Sequence, residues 1–403
     1  MKSKLLAASL FAGTAALVVF YPTPPSIGAV EPPPTVPPDL PGHVLQGEQP
    51  SIDVVFVLDT TGSMSGLLQT AKEKVWSIAS TMASAQQAPR IQMGLVAYRD
   101  RGDAYVTEVV DLSEDLDSMY ARLMDFQADG GGDGPESVNQ ALYDAVHKVT
   151  WSQGQDTYKV VFLVGDAPPH MDYQDDVKYP QTLTVAASKG IVVNAIQCGQ
   201  SQQTQRQWQH IAQLGQGDYF QVGQAGSGVA IATPFDRTLA ELSKELDETR
   251  MYYGTEAEKE ERQKKIDAAA KLHSASSEAS RARRAAFNAS ASGTRNLLGE
   301  GELVDDVASG RVDIADLQPA ALPAPMQAME PEEQQALIAR TSERRDALKR
   351  RIEQLADQRS HYLREQVSEL GGAEDSLDHR IYGTIREQAE GKGLRYEADA
   401  LKY

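Results

Sequence analysis

The sequence predicts an α/β protein with a doubly wound, mostly parallel sheet in residues 51–253, followed by an α-helical C-terminal region in residues 255–403. Short apolar runs that are typical of buried strands alternate with stretches whose apolar residues recur at helical spacing. This alternation is typical of a parallel sheet that is covered by helices on both faces. After residue 254 the strand-like runs stop, and charged, alanine-rich sequence takes over.

The first predicted strand, Ile52–Leu58, is continuously apolar after Asp53 and runs directly into Asp59. Apolar residues at three-and-four spacing between Leu67 and Ile78 then predict a helix. Further strands are predicted at residues 91–98, 158–164, 191–196 and 218–222, an edge strand at 105–110, and helices at about 114–127, 136–149, 179–189, 203–214 and 234–250. In such open sheets ligands bind beyond the carboxyl ends of the strands, where the strand order reverses, so functional side chains are expected there.

The C-terminal region is predicted to consist of helices. Glu256 to about residue 291 is proline-free, alanine-rich and charged, as is typical of helical sequence; one long helix is expected from Glu332 to Leu370, and a weaker one at about 376–390. Within the long helix, Leu348, Ile352 and Leu355 form a short apolar seam. A hairpin that folds back on itself or on the first domain is the main expectation. Self-association through a coiled-coil stalk is the alternative.

Residues 1–29 have the order of a secretory signal peptide: a basic start, the charge-free run Leu5–Phe20, and small residues before Val30. The apolar run is shorter than the ~20 residues of a membrane-spanning helix, and an uncleaved signal anchor is the alternative. Residues 30–50 are rich in proline and predict a stiff linker. The protein is therefore expected to be exported, whether periplasmic, secreted or membrane-anchored and facing outward.

Charge and cysteine content exclude two classes of function. The chain has 39 Lys and Arg against 57 Asp and Glu, a formal net charge of −18, which is unsuited to a general nucleic-acid binder. The single cysteine, Cys198, excludes an intramolecular disulfide and a cysteine-rich zinc module.

Three oxygen-rich loops follow predicted elements at the functional edge of the sheet. They contribute Asp59, Thr61 and Ser63 after the first strand, Asp133 within a glycine-rich loop, and Asp166 after the strand at 158–164. Carboxylates and hydroxyls are hard ligands that suit Mg²⁺, with Ca²⁺ or Mn²⁺ as alternatives. Because converging acids repel one another, a divalent cation is the natural companion of this set.

Residues 51–253 resemble a von Willebrand factor type A domain with a metal-ion-dependent adhesion site. That site combines an Asp-x-Ser/Thr-x-Ser loop, matched by Asp59, Thr61 and Ser63, with a threonine-bearing second loop and a later aspartate, matched by Asp166. The second loop here reads Gly-Gly-Gly-Asp-Gly-Pro-Glu, a pattern shared, together with Asp-Thr-Thr-Gly-Ser-Met, by a sub-group of these domains. The resemblance implies cation-dependent binding of a protein partner, not catalysis. In the family the partner typically adds an acidic ligand, and Asp133 weakens the attraction for one.

Two alternatives come from other classes of protein. The Asp59–Ser63 loop also resembles the nucleophile loop of Mg²⁺-dependent phosphoryl-transfer enzymes, with Asp59 as nucleophile. Such sites usually have a second carboxylate four residues after the later aspartate, whereas His170 stands at that position here. The third hypothesis is a structural protein that binds its partner through the C-terminal helices.

Overall fold

The computed structural model describes residues 49–132, 134–223, 231–369 and 377–397. Six strands form one sheet in the order β3-β2-β1-β4-β5-β6. The strands are β1 (Ser51–Asp59), β2 (Arg90–Tyr98), β3 (Thr107–Ser113), β4 (Tyr158–Gly165), β5 (Ile191–Cys198) and β6 (Gln216–Val222). All neighbours pair in parallel except the edge strand β3, which is antiparallel to β2. The predicted doubly wound, mostly parallel sheet is therefore confirmed.

The strand order reverses beside β1, because the chain passes from β1 to β2 and β3 on one side and then crosses to β4 on the other. In the register of the sheet, Asp59 lies opposite Tyr98 of β2, and Leu58 lies opposite Val164 of β4. The carboxyl ends of β1 and β4 are therefore neighbours at the switch point, where open α/β sheets bind their ligands.

Helices cover both faces of the sheet. They are α1 (Leu68–Ala83), α2 (Leu116–Asp125), α3 (Val138–His147), α4 (Tyr179–Ser188) and α5 (Gln202–Leu214). The next helix, α6 (Asp236–Asp247), packs instead against helices of the C-terminal region. Helices α1 and α2 share one apolar core with the sheet, and α3, α4 and α5 share the other. Phe56 and Phe162 stack within the first core at a centroid distance of 5.7 Å. Each face of the sheet is thus buried, as its continuously apolar strands require.

The C-terminal region is helical, as predicted. Its helices are α7 (Glu256–Ala275), α8 (Glu278–Ala289), α9 (Thr294–Leu298), α10 (Leu303–Ala308), α11 (Pro331–Glu369) and α12 (Leu377–Glu390). The helical stretch expected from Glu256 to about residue 291 forms two helices, because α7 ends before Ser276 and α8 begins after Ser277. The Ser277 hydroxyl accepts a hydrogen bond from the amide of Ser280 at 3.1 Å and caps α8.

Helix α12 packs on the same face of the sheet as α1. Its apolar residues, Leu377, Ile381, Tyr382, Ile385 and Ala389, belong to the core that α1 and α2 share with the strands. The Gln388 side chain accepts a hydrogen bond from the Tyr158 hydroxyl at 2.6 Å and donates one to Asn194 Oδ1 at 2.9 Å. The C-terminal region therefore folds back onto the first domain, and α12 completes a core of the sheet.

The apolar seam of α11 is buried inside the chain. Leu348, Ile352 and Leu355 form a cluster with Leu239 of α6 and Ala282 of α8. The seam thus packs against helices of the same molecule.

The predicted signal segment and residues 30–48 of the predicted linker lie outside the described residues. Among the helices that the structure describes, none has the length and apolar character needed to cross a membrane.

Candidate metal centre

Asp59 and Asp166 lie at the adjacent ends of β1 and β4. Asp59 is the last residue of β1, and Asp166 directly follows Gly165, the last residue of β4. Gly165 is required for this approach, because a Cβ atom added to it would lie 2.8 Å from Asp59 Cβ and closer still to the Tyr98 hydroxyl. The sequence thus brings the two predicted carboxylates to the switch point of the sheet.

A chain of hydrogen bonds joins four of the five predicted ligands. Asp59 Oδ1 accepts hydrogen bonds from the amide of Thr61 at 2.9 Å and from its hydroxyl at 2.6 Å. The Thr61 and Ser63 hydroxyls are 3.0 Å apart, and Ser63 Oγ donates to Asp166 Oδ1 at 2.9 Å. Asp59 and Thr61 are buried, Asp166 is half-buried and Ser63 is exposed, so the chain runs from the interior to the surface.

The fifth predicted ligand, Asp133, lies outside the described residues. The loop that precedes it is docked onto the first loop: Gly62 donates a backbone hydrogen bond to Gly130 O at 3.1 Å, and Asp129 donates one to Thr60 O at 3.0 Å. Asp103 holds the same loop from the other side, because its Oδ2 accepts a hydrogen bond from the amide of Gly131 at 2.9 Å.

Glu136 is a residue of this site that the sequence reasoning quoted in its loop but did not assign. Its side chain is only 3% exposed, and its Oε2 has no hydrogen-bond partner among the described residues. Asp59 Oδ2 is also buried without a partner among them. The signal in the sequence is weak, because an acid after Gly-Pro at the start of a helix is usually read as a helix-terminal charge.

An open cleft of about 520 Å³ lies beside the candidate ligands. Its walls include Thr61, Ser63, Gly131, Glu136, Asp166 and Thr204. The Thr204 hydroxyl donates to the backbone oxygen of Asp166 at 3.1 Å and so ties the start of α5 to the loop after β4. The cleft gives a ligand direct access to the exposed Ser63 and the half-buried Asp166.

The carboxyl groups of the site have raised pKa values. Burial, opposed by the hydrogen bonds from Thr61, raises the pKa of Asp59 to about 7. Burial and the neighbouring charges of Asp59 and Asp100 raise the pKa of Glu136 to about 9, and burial also raises the pKa of Asp166. Carboxyl groups whose pKa values are raised by burial and by neighbouring like charges are typical of functional sites.

The donor set fits a hard divalent cation. Every donor is an oxygen, and two buried carboxylate oxygens lack partners among the described residues. Within that part of the chain, no group of three or more His, Cys, Asp or Glu side chains is arranged to hold a metal ion by itself. The candidate donors on the described residues are the carboxylates together with the hydroxyls of Thr61 and Ser63.

Comparison with known proteins identifies the region that carries this geometry. Residues 53–234 match the von Willebrand factor A domain family model. The matched range begins inside β1 and contains the other five strands and all three loops of the candidate site. The family model thus matches the same part of the chain from which the resemblance was drawn.

Individual relatives are distant. A mimivirus protein described as an ariadne-like RING finger protein, from Acanthamoeba polyphaga mimivirus, is 29% identical over 125 residues, or 30% of this chain. The match spans only 12% of that relative's length.

Solved structures of proximal thread matrix protein 1 from the mussel byssus are also similar to this chain. Two of them are 16% and 17% identical, each covering 44% of this chain and 42% of that one, with a TM-score of 0.34. One of the two is described as having a zinc-occupied MIDAS motif.

Proposed function

We propose that this A domain binds a protein partner through a divalent cation, preferably Mg²⁺, and is not an enzyme. The observation that carries the proposal is the hydrogen-bonded chain Asp59–Thr61–Ser63–Asp166 at the open cleft. It gathers carboxylates and hydroxyls from two separate loops at one edge of the sheet. Asp133 remains an expected additional ligand from the second loop.

The choice of cation follows from the number and kind of donors. Mg²⁺ binds few protein ligands and keeps several waters, whereas Ca²⁺ takes more oxygens at longer distances. Two hydroxyls and a small number of carboxylates suit Mg²⁺ better, with Mn²⁺ or Ca²⁺ as alternatives. The pattern of the first and second loops further supports membership of the Asp-Thr-Thr-Gly-Ser-Met sub-group.

The burial of Asp59 disfavours phosphoryl transfer. Its side chain is 1% exposed, and its Oδ1 accepts two hydrogen bonds from Thr61, whereas a nucleophile must reach the phosphorus atom. The loop after Asp166 also continues to a histidine, His170, whose Nδ1 lies 2.8 Å from Asp172 Oδ1. These contacts support a binding site over a nucleophilic site.

Export is part of the same proposal and rests on the first 29 residues. A basic start, a charge-free apolar run and small residues before Val30 support a cleaved signal. Sequencing of the mature N-terminus should give Val30 as the first residue. Recovery of the full-length chain from the cytoplasm would contradict export, and a full-length membrane form would support the signal anchor.

Calorimetric titration with Mg²⁺, after removal of bound metal with a chelator, tests whether the site binds a divalent cation. Binding to the folded state alone should raise stability by ~2.7 kcal/mol at a hundredfold excess over the dissociation constant. Asp166→Ala should abolish the heat of binding. The matched control is Asp129→Ala, because the Asp129 side chain lies at the same edge but is 83% exposed.

Capture from an envelope extract, with and without EDTA, tests the partner. We expect capture by the wild type in Mg²⁺, loss in EDTA, and loss with Asp59→Ala at equal folded concentration. Capture that survives both EDTA and Asp59→Ala would instead support binding through the C-terminal helices.

A further inference from the structure

A second open cleft lies at the edge of the sheet where the parallel strands begin, opposite the candidate metal centre. It has a volume of about 700 Å³ and is lined by three lysines, Lys159, Lys189 and Lys392. We propose that these lysines form an anion site that binds a compact ligand with two or more phosphate groups. The inference is independent of the proposed metal-dependent function.

Three distant segments of the chain supply the lysines. Lys159 is the second residue of β4 and lies opposite Ile191, the first residue of β5, in the register of the sheet. Lys189 is the C-terminal cap of α4, two residues before Ile191, and Lys392 follows the end of α12. Asp166 follows the last residue of β4, so the lysines and the metal centre occupy opposite edges. The return of α12 to the sheet therefore completes the cleft.

Two of the ammonium groups are held in place by backbone oxygens. Lys189 Nζ donates to Val146 O at 2.7 Å, and Lys392 Nζ donates to Gln155 O at 2.7 Å. Among the described residues, neither ammonium group forms an ion pair with a carboxylate. Because an ammonium group has three donors, each lysine keeps two of them for a ligand. Side chains that are already ordered also lose less entropy when the ligand binds.

The charges at this cleft are mainly positive, although the chain as a whole carries a net charge of −18. Burial lowers the pKa of Lys159, and the like charges of Lys392 and Lys189 lower it further, whereas the buried Asp53 opposes them. Of the lining residues in the described part of the chain, only Asp156 is acidic. A bound anion would offset the mutual repulsion of the three lysines.

The kind of cation and the size of the cleft favour phosphate groups over a carboxylate. Lysine binds phosphate as a compact point charge, whereas arginine supplies the planar fork that pairs with a carboxylate. Within the described residues, no arginine lines this cleft. Small-molecule sites have volumes of roughly 300–1,000 Å³, so this cleft has room for more than a single phosphate ion. A ligand with at least two phosphate groups matches both the charge and the space.

Calorimetric titration with sodium pyrophosphate and, separately, with inorganic phosphate tests the site at constant ionic strength. Divalent cations are first removed with a chelator and the chelator by dialysis, so that the metal centre cannot hold the anion through a cation. Pyrophosphate should bind more tightly than phosphate, because it carries more charge. Lys189→Gln and Lys392→Gln should each weaken pyrophosphate binding by roughly tenfold or more, since each removes a charge-assisted contact.

Lys264→Gln is the matched control, because it removes the same charge from a lysine of α7 that is 69% exposed and pairs with Glu261. This variant should bind pyrophosphate within twofold of the wild type. Lys189 is exposed, so Lys189→Gln should keep the melting temperature of the wild type and serves as the test if Lys392→Gln does not fold.

Three results would overturn the proposal. The first is no pyrophosphate binding by the wild type at millimolar concentration. The second is equal affinity in Lys189→Gln and Lys264→Gln, which would mean that the anion binds through the general charge of the surface. The third is tighter binding of a short polyglutamate peptide than of pyrophosphate, which would make the cleft a site for acidic peptides.

Sedimentation with vesicles distinguishes a soluble phosphate compound from a lipid headgroup. The vesicles consist of phosphatidylcholine with or without cardiolipin, a lipid that carries two phosphate groups. Sedimentation only with cardiolipin, reversed by pyrophosphate and lost in Lys189→Gln, would support a lipid headgroup as the ligand at this site. Pyrophosphate binding without sedimentation would support a soluble ligand at the same lysines.

Discussion

Arg284 of α8 and Asp117 of α2 form a fully buried ion pair. Arg284 Nε lies 2.7 Å from Asp117 Oδ1, and the two side chains are 1% and 0% exposed. The same guanidinium donates to Asp247 Oδ2 of α6 at 2.8 Å. One arginine therefore joins a helix of the sheet layer to two helices that follow the sheet.

Arg284→Met should strongly destabilise the fold, because it leaves two buried carboxylates without their shared cation. We expect a loss of about 3–5 kcal/mol in the free energy of unfolding, measured with urea. The matched control is Arg295→Met, since Arg295 also links the C-terminal helices to the sheet domain, through Glu114, but is 61% exposed. That change should cost about 0–1 kcal/mol. Equal losses in both variants would contradict the buried pair as the main link.

A fall in pH should lower the free energy of unfolding of the wild type, because the Asp117 and Asp247 carboxylates become protonated. Burial opposes ionisation, but the charge of Arg284 holds the pKa values of Asp117 and Asp247 below their usual range. Because the folded pKa values are lower than the unfolded ones, this stability is present above about pH 4 and is lost as pH falls further.

Urea unfolding between about pH 2.5 and pH 7 measures this dependence. In Arg284→Met the two carboxylates lose the positive charge that favours their ionised forms. The free energy of unfolding of this variant should therefore fall less than that of the wild type as the pH is lowered. His273, Lys265 and Arg250 also face these carboxylates and should retain part of the effect. Parallel curves for the two proteins would contradict the assignment to Arg284.

Helix α12 should contribute to the stability of the sheet domain, although it lies far from the strands in sequence. Ile385 is fully buried in the core beneath the sheet, so Ile385→Ala should cost about 2–5 kcal/mol. Glu387→Ala, on the exposed side of the same helix, should leave the free energy of unfolding almost unchanged. If Ile385→Ala left the free energy of unfolding unchanged, α12 would not complete the core in solution.

The alternation of strands and helices predicted the sheet because both of its faces are buried, which makes each strand a continuous apolar run such as Val54–Leu58. The position of α12 could not be predicted in this way. The apolar face of α12 indicates only that this face is buried. The strands against which α12 packs lie more than a hundred residues earlier in the chain, so sequence pattern does not identify them.

The candidate site was predictable to the extent that strand ends locate it. Asp59 and Asp166 follow adjacent parallel strands, so the topology alone brings them together. Glu136 does not follow a strand. Its position depends on backbone hydrogen bonds with Pro168 and His170, which no local sequence pattern predicts. The burial of Glu136, whose Oε2 has no hydrogen-bond partner among the described residues, is visible only in the three-dimensional structure.

Gly131→Ala should impair the metal site without unfolding the domain. Gly131 has φ +75°, which costs an L-residue about 1–2 kcal/mol, and an added Cβ would press on Glu136 Oε1 at 3.1 Å. Gly132→Ala is the matched control, because Gly132 has no atom within 4 Å of an added Cβ and no positive φ. We expect weaker Mg²⁺ binding and faster amide exchange at residues 129–132 in Gly131→Ala only. Identical Mg²⁺ affinities in the two variants would show that the conformation at Gly131 does not position the site.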